Sequence, residues 1–305
     1  MRANFARALG QTSAKAPAKP SHGTIHPGSG AGLGQTMRYE HYAPFYDGSG
    51  QLRFAVLMAQ YLREVLARHP APGRRALDLA CGTGTLALAL ADDGWQVVGL
   101  DESEAMLAQA RAKAAMLDTT GQAAFVRGDM RRFAFEDRGL RIETAAPNRR
   151  NQASIINAQF DLVTCVYDSL NYLLSEADLS ACFAGAARTL APGGLFFGDM
   201  NTRYFLEHDW GEYEVLELPG FVQVSQSHFD PATGCSAMLL TGFVGDDERG
   251  YQRFDETHVE RAYPAEAIAG LLAGAGLVVE GCYDCFTFQP IAERTQRVAW
   301  VARKP

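Results

Sequence analysis

The stretch ALDLACGTGTLALAL, from Ala76 to Leu90, decides the fold of this chain. It begins as a short apolar run, continues through the small-residue turn CGTG, and ends in an apolar segment that predicts a helix. A strand that turns through glycines into a helix is typical of nucleotide-binding α/β proteins, because the turn and the helix N-terminus present backbone amides to a ligand. One acid, Asp78, stands just before the turn, so the ligand has to suit a negative charge there.

Strands and helices alternate on both sides of this stretch. Apolar spacing predicts a helix from about Gln51 to His69, and Ser103 is a credible N-cap for a later helix. The predicted strands are RALDLA, WQVVGLD, AAFVRGD, FDLVTCVYD and LFFGDMN, and the predicted helices between them are TGTLALALADDG, SEAMLAQARAKA and DLSACFAGAARTL. Such alternation indicates βαβ units and a parallel sheet that is covered on both faces.

Residues 212–261 break this alternation with four β-type runs separated by turn signals, which predict an antiparallel sheet. A helix and two last strands follow. We therefore predict an α/β, Rossmann-like, doubly wound and mostly parallel seven-stranded sheet with a small inserted antiparallel β lobe. The predicted division is a disordered tail over 1–36, a ligand-binding α/β core over 37–201 with a surface insertion at 137–159, an antiparallel substrate or lid lobe over 202–262, and a return to the core over 263–305.

Composition and charge restrict the partners. The chain has 305 residues and a formal charge of −7, and an acidic protein without a basic stripe is a poor candidate for binding nucleic acid. No apolar run approaches the ~20 residues that cross a membrane.

Six cysteines are too few for a disulfide scaffold and favour a cytoplasmic location. Because Cys282 and Cys285 have no second pair to complete a zinc site, we predict no metal. We expect a small-molecule partner and a monomer or homodimer.

The first 36 residues differ from the rest of the chain. They hold no Asp or Glu, four Lys or Arg, and many small residues and prolines. A disordered tail, an overextended start with Met37 as the true beginning, and an organelle-targeting peptide are all compatible with this composition.

The position of Asp78 discriminates between ligands. A dinucleotide would place its pyrophosphate on the glycine turn, where the Asp78 carboxylate would repel it. S-adenosylmethionine has no phosphate and carries an ammonium and a sulfonium, which are both positive near neutral pH. The order DLACGTG therefore favours S-adenosylmethionine over NAD. The alternative is that Asp78 only caps the nearby helix or pairs with an arginine.

Further acids follow the other predicted strands. Asp101 ends the second strand, where an acid binds ribose hydroxyls in either kind of ligand. Asp129 and Met130 follow the third strand, and Asp168 follows the fourth. Because the carboxyl ends of parallel strands line the ligand crevice of such sheets, we expect these side chains to surround one site.

Residues 39–305 resemble the class I S-adenosylmethionine-dependent methyltransferases, and more narrowly the bacterial small-molecule type with a β-sheet insertion after strand five. The segments LDLACGTG, VVGLDESEAMLAQA, FDLVTCVYDSLNYL, LAPGGLFFGDMN and QRFDETHVERAY carry the resemblance. It implies methyl transfer by in-line displacement, with S-adenosyl-L-methionine as cofactor. It also implies that the methionine part of the cofactor lies at Asp78 and the backbone of Ala80, Cys81, Gly82, Thr83 and Gly84. The ribose would lie at Asp101 near Met106, and the adenine at Asp129 and Met130. The sulfonium would lie near Val166 and Tyr167, and Tyr46 would cover the cofactor.

A general base is needed only if the acceptor must lose a proton early. Our candidates are Asp168, His258 and Glu256. His258 and Glu256 lie on one face of a predicted strand, because side chains alternate along a strand. The alternative is that this is a polar outer face of the lobe, with no part in the chemistry.

Other functions stay open at this point. A tRNA or rRNA methyltransferase would use the Arg149-Arg150 insertion, but the chain lacks the Asn/Asp-Pro-Pro-aromatic and Pro-Cys motifs of base methylation after the fourth strand. A non-catalytic S-adenosylmethionine-binding module would keep Asp101 and Gly82 without turnover. Asp78 argues against an NAD(P) oxidoreductase.

Overall fold

The computed structural model describes residues 39–133, 159–211 and 213–305. The predicted tail, and the predicted surface insertion apart from its last residue, lie outside the described residues. The strands are β1 Arg75–Leu79, β2 Gln96–Asp101, β3 Gln122–Arg127, β4 Phe160–Cys165, β5 Leu190–Asn201, β6 Glu214–Leu218, β7 Phe221–Asp230, β8 Cys235–Asp246, β9 Gly250–Arg261, β10 Val278–Asp284 and β11 Arg297–Arg303. The α-helices are α1 Ala43–Tyr46, α2 Leu52–Arg68, α3 Thr85–Asp92, α4 Glu104–Met116, α5 Glu176–Thr189, α6 Arg203–His208 and α7 Ala265–Gly274.

Seven strands form the main sheet in the order β10-β11-β5-β4-β1-β2-β3. The five strands β1 to β5 pair in parallel, and β11 is antiparallel to both β5 and β10. The chain starts in the middle with β1, winds outward to β3, and then returns to β4 on the other side. This confirms the predicted doubly wound fold and puts the ends of β1 and β4 side by side, at the point where the winding reverses.

The sheet separates two apolar layers. Neighbouring residues of β1 alternate between them: Leu77 packs with α5 and α7, whereas Ala76 packs with α2 and α3. Because both faces are covered by helices, these strands are apolar almost without interruption, which is why the sequence predicted a buried parallel sheet.

The lobe is a separate four-stranded antiparallel sheet in the order β6-β7-β8-β9. Its register pairs Leu240 with Glu256 and Met238 with His258, so these side chains share one face. The antiparallel lobe is therefore confirmed, while the domain boundaries drawn from the sequence stay a prediction. Among the helices of the described ranges, none has the length and apolar character needed to cross a membrane.

Four short helical segments were not predicted. The chain runs from α1 through a π-helical turn, Asp47–Gln51, into α2. Ser169–Tyr172 forms a 3-10 turn after β4, and α6 follows β5. Segments of four to six residues are too short to show a helical period, so pattern reasoning could not find them.

Candidate cofactor and acceptor site

The glycine turn after β1 is held in left-handed backbone conformations. Ala80, Gly82 and Gly84 have φ values of 53°, 54° and 74°. A Cβ on Gly84 would lie 2.7 Å from the Phe125 ring, so packing requires glycine there. A Cβ on Gly82 would meet no atom of the described residues within 4 Å, so this side of the turn is open to them. The open side is a cradle in which a ligand can approach the backbone closely.

Asp78 is buried at the mouth of this turn, with 1% of its surface exposed. One carboxylate oxygen accepts a hydrogen bond of 2.6 Å from the Thr164 hydroxyl. Burial raises the pKa of Asp78 to about 7, the Thr164 hydrogen bond opposes this rise, and the charge of Asp101 adds to it. The predicted alternatives are not found, since α3 has no side-chain cap and no arginine pairs with Asp78 among the described residues. A buried carboxyl of this kind is stabilised in its charged form by a cationic ligand group.

Asp101 organises the same turn from the end of β2. Its Oδ2 accepts a hydrogen bond from the Gly82 amide and its Oδ1 accepts one from the Ser103 amide, both at 2.8 Å. Burial raises the pKa of Asp101 to about 6. Met106 follows in the first turn of α4 and is buried. The carboxylate thus fixes the position of the backbone that forms the cradle, and each oxygen keeps a second lone pair for a ligand.

Asp129 has a charged partner that the sequence argument missed. Arg131 binds its carboxylate through Nε and Nη2 at 2.7–3.0 Å, and this hydrogen bonding lowers the pKa of Asp129. Met130 lies against the core, with its sulfur 3.9 Å from the thiol of Cys165. The arginine is only two residues away in a tight turn, so no periodic signal marks the pair. The adenine contacts of Asp129 and Met130 stay a prediction.

An aromatic segment, residues 39–51, lies beside the turn. Tyr46 meets Tyr167 edge to face, with ring centroids 6.3 Å apart. Asp47 accepts hydrogen bonds of 2.7 Å from the Thr83 hydroxyl and from the ammonium of Lys113. This ion pair joins the π-helical turn to the glycine turn and to α4, and the sequence analysis did not anticipate it.

Val166, Tyr167 and Asp168 follow β4. Tyr167 and Asp168 adopt positive φ values of 62° and 54°, which are costly for residues with a side chain. Asp199 of β5 compensates, because its carboxylate accepts hydrogen bonds from the amides of Tyr167 at 2.6 Å and Asp168 at 3.3 Å. Arg297 of β11 also binds Asp199 and stacks over the Phe54 ring at 4.5 Å. The strained turn is therefore fixed by a buried ion pair.

The inner face of β9 presents Glu256, His258 and Glu260, which are all at most 4% exposed. The polar outer face considered for His258 and Glu256 is thus wrong, because the alternation of β9 turns both inward. Glu256 accepts hydrogen bonds from the amides of Tyr39, His41 and Tyr42 at 2.9–3.3 Å and anchors the aromatic segment. Its part as a base stays a prediction.

His258 lies between Glu256 and Tyr172, which is in the 3-10 turn after β4. Its Nδ1 is 3.3 Å from the Tyr172 hydroxyl, which in turn is 2.9 Å from the Tyr39 hydroxyl. Its Nε2 is 3.5 Å from a Glu256 oxygen but makes no aligned hydrogen bond within the part of the chain that the structure describes. Asp168 reaches the lobe through Asn201, whose amide donates to both Asp168 and Glu260. The structure therefore brings all three predicted base candidates to one region, where Glu260 joins them.

Comparison with known proteins identifies the family. A family profile for a methyltransferase domain matches residues 76–146, beginning with the strand that opens the glycine turn. A protein of Geobacillus sp. (strain WCH70) named as a methyltransferase is 30% identical over 270 residues, which cover 88% of this chain and 100% of that protein. The chain belongs to the class I S-adenosylmethionine-dependent methyltransferases.

Solved structures agree with this assignment. An S-adenosylmethionine-dependent methyltransferase from Clostridium acetobutylicum ATCC 824 has a TM-score of 0.70 and 26% identity, covering 87% of this methyltransferase and 98% of that chain. The sugar N-methyltransferase KedS8 from Streptoalloteichus sp. ATCC 53650 has a TM-score of 0.64 and 25% identity, covering 92% and 100%. The methyltransferase is an enzyme whose cofactor is S-adenosylmethionine. The open side of Gly82 and the buried carboxyl of Asp78 fit that group, which needs close backbone approach and a counter-charge.

Proposed function

We propose that this methyltransferase acts on a small-molecule acceptor held between the carboxyl ends of the main-sheet strands and the inner face of the lobe. The observation that carries the proposal is the contact between the turn after β4 and β9, in which Asn201 donates hydrogen bonds to Asp168 and Glu260 at 3.1 and 2.8 Å. This contact joins the main sheet and the lobe in one polar wall. Similarity to a sugar N-methyltransferase supports an acceptor that is a small molecule.

The cofactor contacts are part of the proposal. We assign the methionine part to Asp78 and the backbone of residues 80–84, and the ribose to Asp101, which is already oriented by two amides. The adenine would lie near Met106, Asp129 and Met130. Val166 and Tyr167 would form the wall at the sulfonium, with Tyr46 packed on Tyr167 above it.

The bound cofactor supplies a methyl group on a positively charged sulfur, which is an activated leaving group. The residues of this chain therefore act chiefly by alignment and by exclusion of water. Orientation of two reactants can contribute on the order of 7–11 kcal/mol to the lowering of a barrier. The aromatic segment 39–51 is placed to exclude water, because Glu256 and Lys113 hold its two ends.

A nucleic-acid acceptor is the second candidate, and the net charge of −7 disfavours it. A non-catalytic binding module would not need the buried carboxyls and His258 opposite the turn after β4. Six free cysteines are in keeping with a reducing, cytoplasmic location, which we include in the proposal with a monomeric or homodimeric state.

Calorimetry with S-adenosylhomocysteine and NADH tests the cofactor contacts first. Micromolar binding of S-adenosylhomocysteine, about −8 kcal/mol, with no binding of NADH, is the expected result. Transfer of labelled methyl groups to a low-molecular-weight cell extract, compared with total RNA from the same cells, then tests the acceptor class. Label in the RNA alone would overturn the small-molecule proposal, and no binding up to millimolar S-adenosylhomocysteine would overturn the cofactor contacts.

A further inference from the structure

Three carboxyls meet one cation where the turn after β4 faces β9. Asp168, Asp199 and Glu260 lie together with Arg297, and Asp199 and Glu260 are at most 1% exposed. Asp199 already has partners on both oxygens, because it binds Arg297 and two backbone amides. Arg297 also lies 3.4 Å from Asp168, but it cannot balance all three acids. The region has an excess of negative charge.

Hydrogen-bond acceptors are also in excess there. Asn201 Nδ2 donates to Asp168 and to Glu260, which fixes the orientation of the amide. The other end of that amide, Asn201 Oδ1, has no hydrogen-bond donor among the described residues, although Asn201 is only 2% exposed. Among the described residues, Glu260 Oε1 has no donor either while the Asp168–Glu260 pair is ionised, and nearby His258 Nε2 is likewise without an aligned partner. Buried acceptors without donors are costly, which indicates that a donor-rich group binds here.

Burial raises the pKa of Asp168 and of Glu260, and the two carboxyls interact directly. Arg297 and Asn201 oppose the rise. Two acids in such a position hold a proton between them more readily than separate carboxyls do. Asp168 is the member nearer to solvent, with 15% of its side chain exposed, so it is the one that a ligand can reach.

We propose that the methyl acceptor of this enzyme is an amine, which enters as an ammonium and is held by Asp168, with Glu260 and Asn201 behind it. This rests on the proposed function of the site. An ammonium offers a positive charge and up to three N–H donors, which match the excess charge and the acceptors without donors. A hydroxyl acceptor offers one donor and no charge, and a carboxylate acceptor would be repelled.

The proton balance follows from the same residues. The ammonium binds the ionised Asp168–Glu260 pair and gives it the one proton that the two carboxyls share, which frees the nitrogen lone pair. That lone pair forms the new N–C bond to the methyl carbon, while the electrons of the C–S bond stay on sulfur, and the product is an N-methylammonium. Asp168 is the catalytic residue in this step, and Glu260 and Asn201 are positioning residues that act through it.

Other groups face this pair from each neighbouring element. Arg297 and Asp199 come from the main sheet, Tyr39 from the aromatic segment, and Tyr167 and Tyr172 from the segment after β4, while His258 is the neighbour of Glu260 on the same face of β9. Burial raises the pKa of the Tyr167 phenol, so it stays neutral and competes with neither the ammonium nor the carboxyls for charge. Burial also raises the pKa of the Tyr39 and Tyr172 phenols, so both stay neutral. The negative charge available to a ligand is therefore that of the carboxyl pair.

Sinefungin is a direct probe, because it carries an amine where the cofactor carries the transferable methyl. Calorimetry compares its affinity with that of S-adenosylhomocysteine, which lacks both groups. We expect the wild-type protein to bind sinefungin about tenfold or more tightly than S-adenosylhomocysteine, which corresponds to about 1.4 kcal/mol. Asp168→Asn and Glu260→Gln should each abolish that preference and leave S-adenosylhomocysteine affinity within about twofold.

Asp255→Asn is the matched control, since Asp255 lies on the exposed outer face of the same strand and pairs with Arg253. It should keep the preference. Equal wild-type affinity for the two ligands would overturn the amine assignment while leaving the proposed function intact. A loss of S-adenosylmethionine affinity equal to the loss for sinefungin would assign the carboxyls to the sulfonium and would also overturn it. Failure to bind S-adenosylhomocysteine at all would instead refute the cofactor site of the proposed function.

Discussion

Asp101 fixes the glycine turn that we propose as the cofactor site, because it accepts hydrogen bonds from the amides of Gly82 and Ser103 at once. We predict that Asp101→Ala weakens S-adenosylhomocysteine binding by roughly 1.5–3 kcal/mol, the range for hydrogen bonds to charged groups. Calorimetry measures this loss. Asp92→Ala, at the exposed end of α3, is the control and should bind normally. Unchanged affinity in a folded Asp101→Ala protein would refute the role.

His258 is a buried imidazole with one nitrogen near Tyr172 and the other without an aligned partner. If it acts as a base, His258→Ala should lower turnover by roughly 10²-fold or more, the usual range for general-base loss. Cofactor affinity should stay within about twofold, because no predicted cofactor contact includes it. Steady-state kinetics with the identified acceptor, together with calorimetry, separates the two effects. Normal turnover would leave His258 as a packing residue of the lobe.

The residues found from the sequence are those that follow strand ends. Asp78, Asp101 and Asp168 could be predicted, because local pattern locates the end of a buried strand and topology gathers such ends. The Asp47–Lys113 pair could not be predicted, since its members are 66 residues apart and Asp47 belongs to no periodic pattern. Glu260 could be predicted in part. The alternation of ETHVE puts it on the face of Glu256 and His258, but only the structure shows that this face is buried.

At the scale of elements, β9 and the aromatic segment are joined by Glu256. Its two oxygens accept three backbone hydrogen bonds from residues 39–42. In Glu256→Gln one oxygen becomes an NH₂ group, which cannot accept from a backbone amide. We therefore expect hydrogen exchange over residues 39–51 to accelerate by about tenfold or more, the equivalent of one lost bond of about 1.4 kcal/mol or more.

Exchange measured by mass spectrometry gives the result peptide by peptide, so peptides of the main sheet serve as internal controls. Asp255→Asn tests a carboxyl-to-amide change on the other face of β9 and should leave residues 39–51 protected. Protection of that segment unchanged in Glu256→Gln would contradict the anchoring role. Sequence reasoning missed this contact because α1 is only four residues long and the anchor comes from a strand more than 200 positions away.

At the scale of the whole molecule, the fold gathers at one edge of the main sheet two acids that have hydrogen bonds but no cationic partner among the described residues. β1 supplies Asp78, β2 supplies Asp101, and both carboxyls are buried. The arrangement lowers the stability of the free protein, because charged groups in an apolar interior cost free energy unless they are paired. Cationic ligand groups relieve this cost, so stability and binding are coupled through the same side chains.

The coupling predicts that the stability of the free protein falls, and its affinity for S-adenosylmethionine rises, as the pH increases. Burial raises the pKa of Asp78 from 3.8 to about 7 and that of Asp101 to about 6, so the folded protein binds protons that the unfolded chain has released. The contribution of these groups to stability is therefore present at low pH and is lost as pH rises through their folded pKa values. S-adenosylmethionine affinity should increase over the same upper range, because its positive groups favour ionised Asp78.

Asp78→Asn isolates the effect, because asparagine can still accept the Thr164 hydrogen bond but cannot ionise. Melting temperatures of the free proteins should converge below about pH 4, where Asp78 is protonated in the unfolded chain as well, and the variant should melt at the higher temperature near about pH 8, where the wild type buries a charge. Calorimetry should show cofactor affinity rising with pH in the wild type and staying flat and weak in the variant. A melting difference that is the same at both pH values, or wild-type binding that weakens as pH rises, would show that Asp78 does not link folding to the cofactor. The expected result is a variant that is more stable than the natural enzyme near about pH 8 and binds its cofactor less well, since the same buried carboxyl destabilises the free protein and attracts the ligand.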